Sequence, residues 1–450
     1  MMNRHHLTEI FTAALAAVDA RRTVLRAMTR AGTTLSVGTR RYDLAAYDRI
    51  LVVGAGKATA RMAQAAEEVI GDALAGGIIV VKEGHTGLLT RVRQVEASHP
   101  IPDEAGECGT KAIMELLQDA DDRTLVLCLL SGGGSALLVA PAQGVTLADK
   151  QTVTDLLLRA GADIGELNAV RKHLSAVKGG RLARIAHPAT VITLMLSDVI
   201  GDRLDVIASG PTVPDPTTFG DALSVLEKYG LRDKVPRGVV GLFDEGLAGR
   251  LPETPKEGDP CFQSGHTVIV GSLLRALVAG RERAERLGYG TEIITAELRG
   301  EARDAARFLA EKAMRVRDGL KLSERRCFLS GGETTVRVIG GGRGGRNQEL
   351  ALAFALAIEG TPDILLLSAG TDGTDGPTDA AGAVVDGGTA RAARAAGIDP
   401  VRHLVYNDSY SLFARLDAAT GEHSQVTTGP TGTNVMDMQI MLIGQGSAGG

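Results

Sequence analysis

Leu125-Val-Leu-Cys-Leu-Leu-Ser-Gly-Gly-Gly-Ser135 is an apolar run that stops abruptly in glycine. A short apolar run bounded by a turn signal reads as a buried strand. Three further runs end in the same way. Leu51-Val-Val53 enters Gly54-Ala-Gly-Lys57, Phe328-Leu329 enters Ser330-Gly-Gly-Glu333, and Ile364-Leu-Leu-Leu367 enters Ser368-Ala-Gly-Thr-Asp372. Glycine lets backbone N–H groups approach an anion with no Cβ in the way, and a helix beginning just after adds its positive end. One such loop would be only a tight strand-to-helix turn. Four of them, carrying lysine, serine, glutamate and aspartate, point to a polyanion site at the carboxyl ends of strands, where open α/β sheets bind ligands.

Two glycine-rich stretches sharpen that expectation. Arg346 stands in Gly340-Gly-Gly-Arg-Gly-Gly-Arg-Asn-Gln-Glu349, and Asp372, Asp375 and Asp379 share the loop after Leu367. An arginine beside bare backbone and a loop of carboxylates suit phosphate chemistry with a divalent cation.

Outward from these loops the chain reads as α/β. Leu7, Ile10, Phe11, Ala14, Leu15 and Val18 form one helical stripe. Apolar runs at 50–53, 78–81, 125–130 and 191–196 then alternate with helical segments such as 58–70 and 147–160, the pattern of a parallel sheet covered by helices. Prolines gather at 211–216 and 236–260, placing a boundary between a domain at 1–240 and a second at 260–450. In the second, strands are expected at 268–270, 292–295, 327–329, 364–367 and 439–443, with helices at 273–287, 301–316 and 348–358.

Composition narrows the function. The 450 residues are 44% hydrophobic and 23% charged, with a net charge of −5, 57 glycines and no tryptophan. That suits a loop-built site for small polar ligands and argues against a nucleic-acid surface, which needs basic patches and stacking rings. Cys108, Cys128, Cys261 and Cys327 show no metal-ligand spacing, and Cys128 and Cys327 read as buried fillers. No leader-like N-terminus or membrane-length apolar run is visible, so a cytoplasmic enzyme is expected.

The candidate residues can be weighed one by one. Gly54-Ala-Gly-Lys-Ala-Thr59 is neither a P-loop, since position 51 is leucine, nor a complete dinucleotide fingerprint, since Thr59 replaces the third glycine. Lys57 nevertheless stands at a helix start, where a lysine opposes the dipole unless it serves an anion. Arg171 and Lys178, seven residues apart and followed by Gly179-Gly180, suggest cations beside closely approaching backbone. Asp198, after the run 191–196, can cap a helix or bind a metal. His173 reads equally as packing or catalysis, and His99, between Ser98 and Pro100, as structural or rim.

Taken together, GAGKA (54–58), SHPIPD (98–103), LLSGGGSALL (129–138), NAVRKHLSAVKGGRLA (168–183), SDVIGD (197–202), IASGPTVPDPTT (207–218), SGGETTV (330–336), GGRNQELAL (344–352) and SAGTDGTDGPTDAAGA (368–383) resemble the class II glycerate 2-kinases, also labelled tartrate-pathway hydroxypyruvate reductases. The resemblance runs from about residue 7 to residue 443. It implies a Rossmann-like N-terminal domain with helices on both faces of a parallel sheet, a C-terminal α/β MOFRL domain, and an active site in the interdomain cleft. It implies ATP-dependent phosphorylation of D-glycerate at its 2-hydroxyl, with Mg²⁺ or a similar divalent ion, and carries the family's essential lysine, arginine and aspartate onto Lys57, Arg346 and Asp372.

On that footing Lys57 and Arg346 are expected on the transferred phosphate or the glycerate carboxylate, and Asp372 as general base or metal ligand. Gly54, Gly56, Ser131, Gly132, Gly133, Gly134, Ser135, Glu333 and Asn347 are expected at nucleotide or phosphate, Arg171 and Lys178 at the acceptor, and Asp198 and Asp375 at the metal. The partners are small molecules, not nucleic acid or membrane, with a homodimer left open. Two other classes compete. A nicotinamide-dependent hydroxypyruvate reductase would place pyrophosphate on Gly54-Ala-Gly56 and ribose on Glu83, but it lacks the third glycine and has no use for the aspartate loop. A non-catalytic sugar-acid sensor would have no need of Lys57, Arg346 and Asp372 together.

Overall fold

The computed structural model describes residues 4–321 and 323–444. Among them the chain forms two compact units, one comprising Ala20–Val270 and the other joining the first helix to the chain from Gly271 onward.

The first unit begins with the helix Ala20–Ala27, which leads into a small antiparallel meander, β1 (Met28–Ala31), β2 (Thr34–Val37) and β3 (Arg40–Asp43). Its main sheet holds β4 (Arg49–Ala55), β5 (Gly76–Lys82), β6 (Val92–Ala97), β7 (Thr124–Leu130), β8 (Thr190–Leu196) and β9 (His266–Gly271), in the order β6-β5-β4-β7-β8-β9. The pairs from β6 through β8 are all parallel. Every residue of β7 is buried, as a strand covered on both faces requires. Strand order runs outward from β4 in one direction and from β7 in the other, so the order reverses between these two neighbours. Crevices at that reversal are where doubly wound sheets bind ligands, and the loops leaving β4 and β7 are Gly54–Lys57 and Ser131–Ser135. A second cluster of buried residues, including Val153, Leu157, Val170, Phe219 and Phe243, forms a helical core within the same unit.

The sequence reading placed 268–270 at the start of the second half. Instead β9 sits at the edge of the first sheet, beside β8. The proline-rich stretch before it is partly helical, with Pro236 capping the helix Arg237–Leu247 and Pro260 opening a short 3₁₀ turn.

In the second unit the sheet holds β10 (Gly290–Leu298), β11 (Arg325–Gly332), β12 (Ile364–Gly370), β13 (Gly382–Asp386), β14 (Gln425–Val426) and β15 (Asp437–Gly444), in the order β10-β11-β15-β12-β13-β14. Strands alternate with helices as expected, but only β10 and β11 pair in parallel. β15 inserts antiparallel between β11 and β12. The start of β15 therefore lies at the carboxyl ends of both neighbours, with Asp437 opposite Gly332 and Gly370. The helix Arg4–Ala17 also belongs to this unit: its buried Leu7, Ile10, Phe11 and Ala14 give it an apolar face, and it packs on the helix Leu273–Arg286. That leaves the unit discontinuous in sequence, an arrangement that a division at 1–240 and 260–450 does not include.

Close backbone approach fixes the pairing of β12 with β13. A Cβ on Gly382 would lie 1.9 Å from the Ser368 carbonyl oxygen. Gly382→Ala should therefore destabilise the fold by about 3 kcal/mol, read as a lower urea midpoint at unchanged slope. Gly319→Ala, at a helical position with nothing within 4 Å, should be neutral or stabilising by less than about 1 kcal/mol.

Candidate active site

Lys57 lies in the turn between β4 and the helix Thr59–Ile70. The turn is locked to the loop after β7. Lys57 N–H donates to Gly132 O at 2.9 Å, Ala58 N–H to Ser131 Oγ at 3.0 Å, and Ser131 N–H to Ala55 O at 3.2 Å. A Cβ on Gly54 would lie 2.0 Å from Leu129 O, and one on Gly56 2.1 Å from Ser131 Oγ. The two loops thus touch backbone to backbone, and glycine is required at both positions for packing. Gly56 also spends its amide on Val80 O at 3.1 Å. Gly54 and Gly56, expected at phosphate, instead hold the loops together.

Free donors sit in the facing loop. Gly132 and Gly133 amides donate to no group among the described residues. Gly133 has φ +84°, and a Cβ there would be 3.0 Å from the His99 ring and 3.3 Å from Lys57 Cγ. Unpaired amides, Lys57 and the imidazole therefore surround one small space. Burial, then the charges of Lys57, Lys82 and His85, press the His99 pKa down to about 4, so the ring is neutral near pH 7. His99, read from sequence as structural or rim, belongs to this cluster.

Gly134 is packed in the same loop, its hypothetical Cβ 2.9 Å from Ala208 Cβ. Ser135 Oγ lies 2.8 Å from Ser209 Oγ, which donates to Asn168 Oδ1 at 2.9 Å, leaving Ser135 to donate to Ser209. Ala208 and Ser209 both hold left-handed backbone, at φ +51° and +61°. Strain of that kind gathers at functional sites, and sequence reasoning passed over Ser209. Asp198 lies just past the end of β8 and is half-buried.

In the second unit the ends of β11 and β12 and the start of β15 meet. Arg346 opens the helix Arg346–Ala357. Its Nε and Nη2 donate to the two oxygens of Asp437 at 2.6 and 3.1 Å, and its Nη1 to Glu333 Oε1 at 2.8 Å. A guanidinium has five N–H donors, so one N–H remains on each terminal nitrogen. Burial lifts the Asp437 pKa to about 6 against the pull of Arg346, and the two carboxylates hold Arg346 above its ordinary value. Asp437 gave no signal in the sequence. It reaches the site because β15 runs antiparallel. Glu333, expected at nucleotide, is an exposed partner of Arg346.

Asp372 is half-buried at the end of β12. Its Oδ1 accepts from Thr374 N–H at 3.1 Å and Thr374 Oγ1 at 3.2 Å, and its Oδ2 carries no hydrogen bond among the described residues. Asp375 is the opposite case. Oδ1 accepts from the backbone and side chain of Asn347 at 3.0 and 3.3 Å, and Oδ2 from those of Gln348 at 2.9 and 3.1 Å. Both oxygens are committed to the first turn of the helix Arg346–Ala357, so Asp375 does not fit the metal-ligand role expected of it. It anchors that helix. Asn347 is likewise consumed, its Oδ1 accepting from Ser368 Oγ at 2.8 Å. Among the described residues no group of three or more His, Cys, Asp or Glu is placed to hold a metal ion.

Arg171 and Lys178 do come together, lining one cavity of the first unit. Lys178 is buried and donates to Leu138 O at 3.1 Å. His173 is structural, its Nδ1 against Ala169 O and its Nε2 against Glu253. Cys128 and Cys327 are buried free thiols, as expected.

Comparison with known proteins gives the family. A domain of unknown function, DUF4147, matches residues 6–244, and the MOFRL family matches residues 326–437. The D-glycerate 2-kinase of Thermotoga maritima is 46% identical over 401 residues, covering 88% of this chain and 91% of that one. A putative hydroxypyruvate reductase of Agrobacterium vitis is 43% identical over 88% of this chain and 87% of its own. The crystal structure of a Thermotoga maritima glycerate kinase matches with a TM-score of 0.85 at 42% identity, covering 98% of this chain and 99% of that one. With two family domains in this order and such identity along nearly its whole length, the chain belongs to the class II glycerate 2-kinases.

Proposed function

We infer that this protein transfers the γ-phosphoryl group of ATP to the 2-hydroxyl of D-glycerate, giving 2-phosphoglycerate and ADP. The observation that carries the reading is the 46% identity to a D-glycerate 2-kinase over most of both chains. The geometry supplies what the reaction needs. Phosphoryl transfer asks a protein for alignment and charge neutralisation more than for covalent chemistry.

Lys57 is a point charge beside the unpaired amides of Gly132 and Gly133, a cradle for the oxygens of a phosphoryl group. Neutral His99 keeps a further positive charge out of that space while walling one side of it. Arg346 presents its two remaining N–H groups to a phosphate or carboxylate, with Asp437 fixing the plane of the guanidinium. Glu333 pairs at the exposed side, where screening makes the contact weak, so an arriving anion can replace it. Asp372 keeps Oδ2 open to accept the proton of the attacking hydroxyl. Arg171 and Lys178 are assigned to substrate. A divalent ion would supply charge on the nucleotide phosphates. Asp375, with both oxygens committed to Asn347 and Gln348, is unsuited to hold it.

The reductase reading is disfavoured by the same loops. The Gly56 amide is spent on Val80 and a Cβ on Gly54 would strike Leu129, so the turn has no open backbone for a pyrophosphate. Incubation with D-glycerate, ATP and Mg²⁺ should yield ADP and 2-phosphoglycerate, whereas hydroxypyruvate with NADH should leave NADH unoxidised. The reverse pair of results would overturn the kinase reading.

Lys57→Ala should lower kcat by at least about 100-fold, as loss of a charge stabilising the transition state does. Its circular dichroism should be unchanged, and near wild-type turnover would remove Lys57 from the mechanism. Arg346→Lys keeps the charge but loses the fork held by Asp437, and should cost at least about 10-fold in kcat/KM. Asp437 is a positioning residue: below about pH 6 its carboxyl is protonated and its grip on Arg346 loosens, so activity should rise as pH passes through 6. In Asp437→Asn that rise should flatten, and an unchanged pH profile would assign Asp437 to structure alone.

A further inference from the structure

A cavity of about 640 Å³ opens in the first unit behind the Ser131–Ser135 loop, with Ser135 in its wall. Much of the wall is apolar, including Val139, Val153, Leu157, Val170 and Leu174. Into this surface are set three cations, Lys150, Arg171 and Lys178. The lysines are 7% and 2% exposed. Each donates to one backbone carbonyl only, Lys150 to Leu174 O at 2.9 Å and Lys178 to Leu138 O at 3.1 Å. The Arg171 guanidinium has no hydrogen bond or ion pair among the described residues. An ammonium carries three donors and a guanidinium five, so most of the donors around the cavity are unmet.

No carboxylate of the described residues pairs with any of the three. Asp155, which also lines the cavity, pairs with Arg159, and Glu107, the acid acting on Lys150 from the neighbouring helix, pairs with Lys111. Burial, with Arg171 and Arg181 adding like charge, brings the Lys150 pKa down to about 7. Burial and the nearby Lys150 and Arg171 charges hold Lys178 well below its ordinary range. Desolvating a cation that has no partner is costly, and stability alone gives a fold no reason to gather two buried lysines and a half-buried arginine around one cavity. An anion is the missing partner.

We propose that this cavity is an anion-binding site for one of the reaction's own ligands, with a carboxylate or phosphate held by Lys150, Arg171 and Lys178 and the rest of the molecule lying along Val153, Leu157 and Leu174. The choice of ligands rests on the kinase reading; the anion site itself does not. Lys150 is the new member, a residue of an amphipathic helix that composition and spacing left unmarked. The acceptor's carboxylate and the nucleotide's phosphates are the two sources of that charge. A cavity of this size lies within the ~300–1,000 Å³ common for small-molecule sites.

Calorimetric titration of the full chain with D-glycerate, ADP and pyrophosphate, each in turn, tests the site without turnover. Lys150→Met and Arg171→Met should weaken either D-glycerate or ADP by at least about 10-fold, the affected ligand identifying the occupant. Pyrophosphate is the probe that does not depend on the kinase reading: it should bind the wild type and lose affinity in both variants even if glycerate is not the acceptor. Binding should be tighter at pH 6 than at pH 8.5, because the Lys150 ammonium is needed, and Lys150→Met should lessen that difference. Lys150→Met should also unfold at the same or a higher temperature, since it removes an uncompensated buried charge. Wild-type affinity of both variants for all three anions, or no binding of any of them to the wild type, would overturn the proposal.

Discussion

The contact between the loops leaving β4 and β7 is the constraint on which the first unit depends. Parallel neighbours normally keep a strand spacing of about 4.8 Å, and here the two chains remain in contact past the end of the ladder. Glycine at 54 and 56 lets the Leu129 carbonyl and Ser131 reach the β4 backbone, and Ser131 then accepts the Ala58 amide. This contact aims Lys57 at the Gly132–Gly133 backbone. It also consumes the amides of the first loop and leaves the Gly132 and Gly133 amides of the second free, so the open backbone donors belong to the SGGG segment even though the lysine comes from the other.

The second unit solves a different problem, which is how to hold an arginine still at the edge of a sheet. Asp375 takes the first amides of the helix that Arg346 opens, and Asp437 takes the guanidinium from the start of an antiparallel strand. Each carboxylate is buried and each has its oxygens met, which is the condition under which a buried charge is tolerated. The arrangement fixes the direction of Arg346 and neutralises much of its charge. Its contribution is therefore geometric, a planar fork held ready, whereas Lys57 contributes a charge that no carboxylate cancels in the described structure.

Much of the first sheet was legible because short continuous apolar runs alternating with helical segments have few other readings, and β4, β5, β7 and β8 fall where those runs lie. Strand order is not written in periodicity. Nothing in Asp437–Gly444 marks it as antiparallel, and with that orientation went Asp437 itself, a residue in an apolar segment with no loop signature. Asp375 misled for the converse reason: an aspartate in a glycine loop after a strand has the look of a metal ligand, and only the position of the next helix shows that its oxygens are taken. β9 was assigned to the wrong half because a prolines-and-charges stretch reads as a linker, while the chain in fact returns through it to complete the first sheet.

Lys150 shows where sequence logic fails most instructively. A lysine among Leu147, Val153 and Leu157 on a helix is ordinarily a solvated residue whose stem lies on apolar neighbours. Its burial follows from tertiary packing of the helical core, which no local window contains. Once buried, it is no longer a bystander, because burial, with the charges of Arg171 and Arg181, brings its pKa down to about 7. The chain carries a net charge of −5, yet this unit sets unpaired donors at Lys57, at the Gly132 and Gly133 amides, and around one cavity. An acidic protein that handles anionic substrates must concentrate its positive potential locally, and Lys150 and Lys178 are buried where no carboxylate of the described residues pairs with them, unlike Lys172, which meets Asp205 and Asp215.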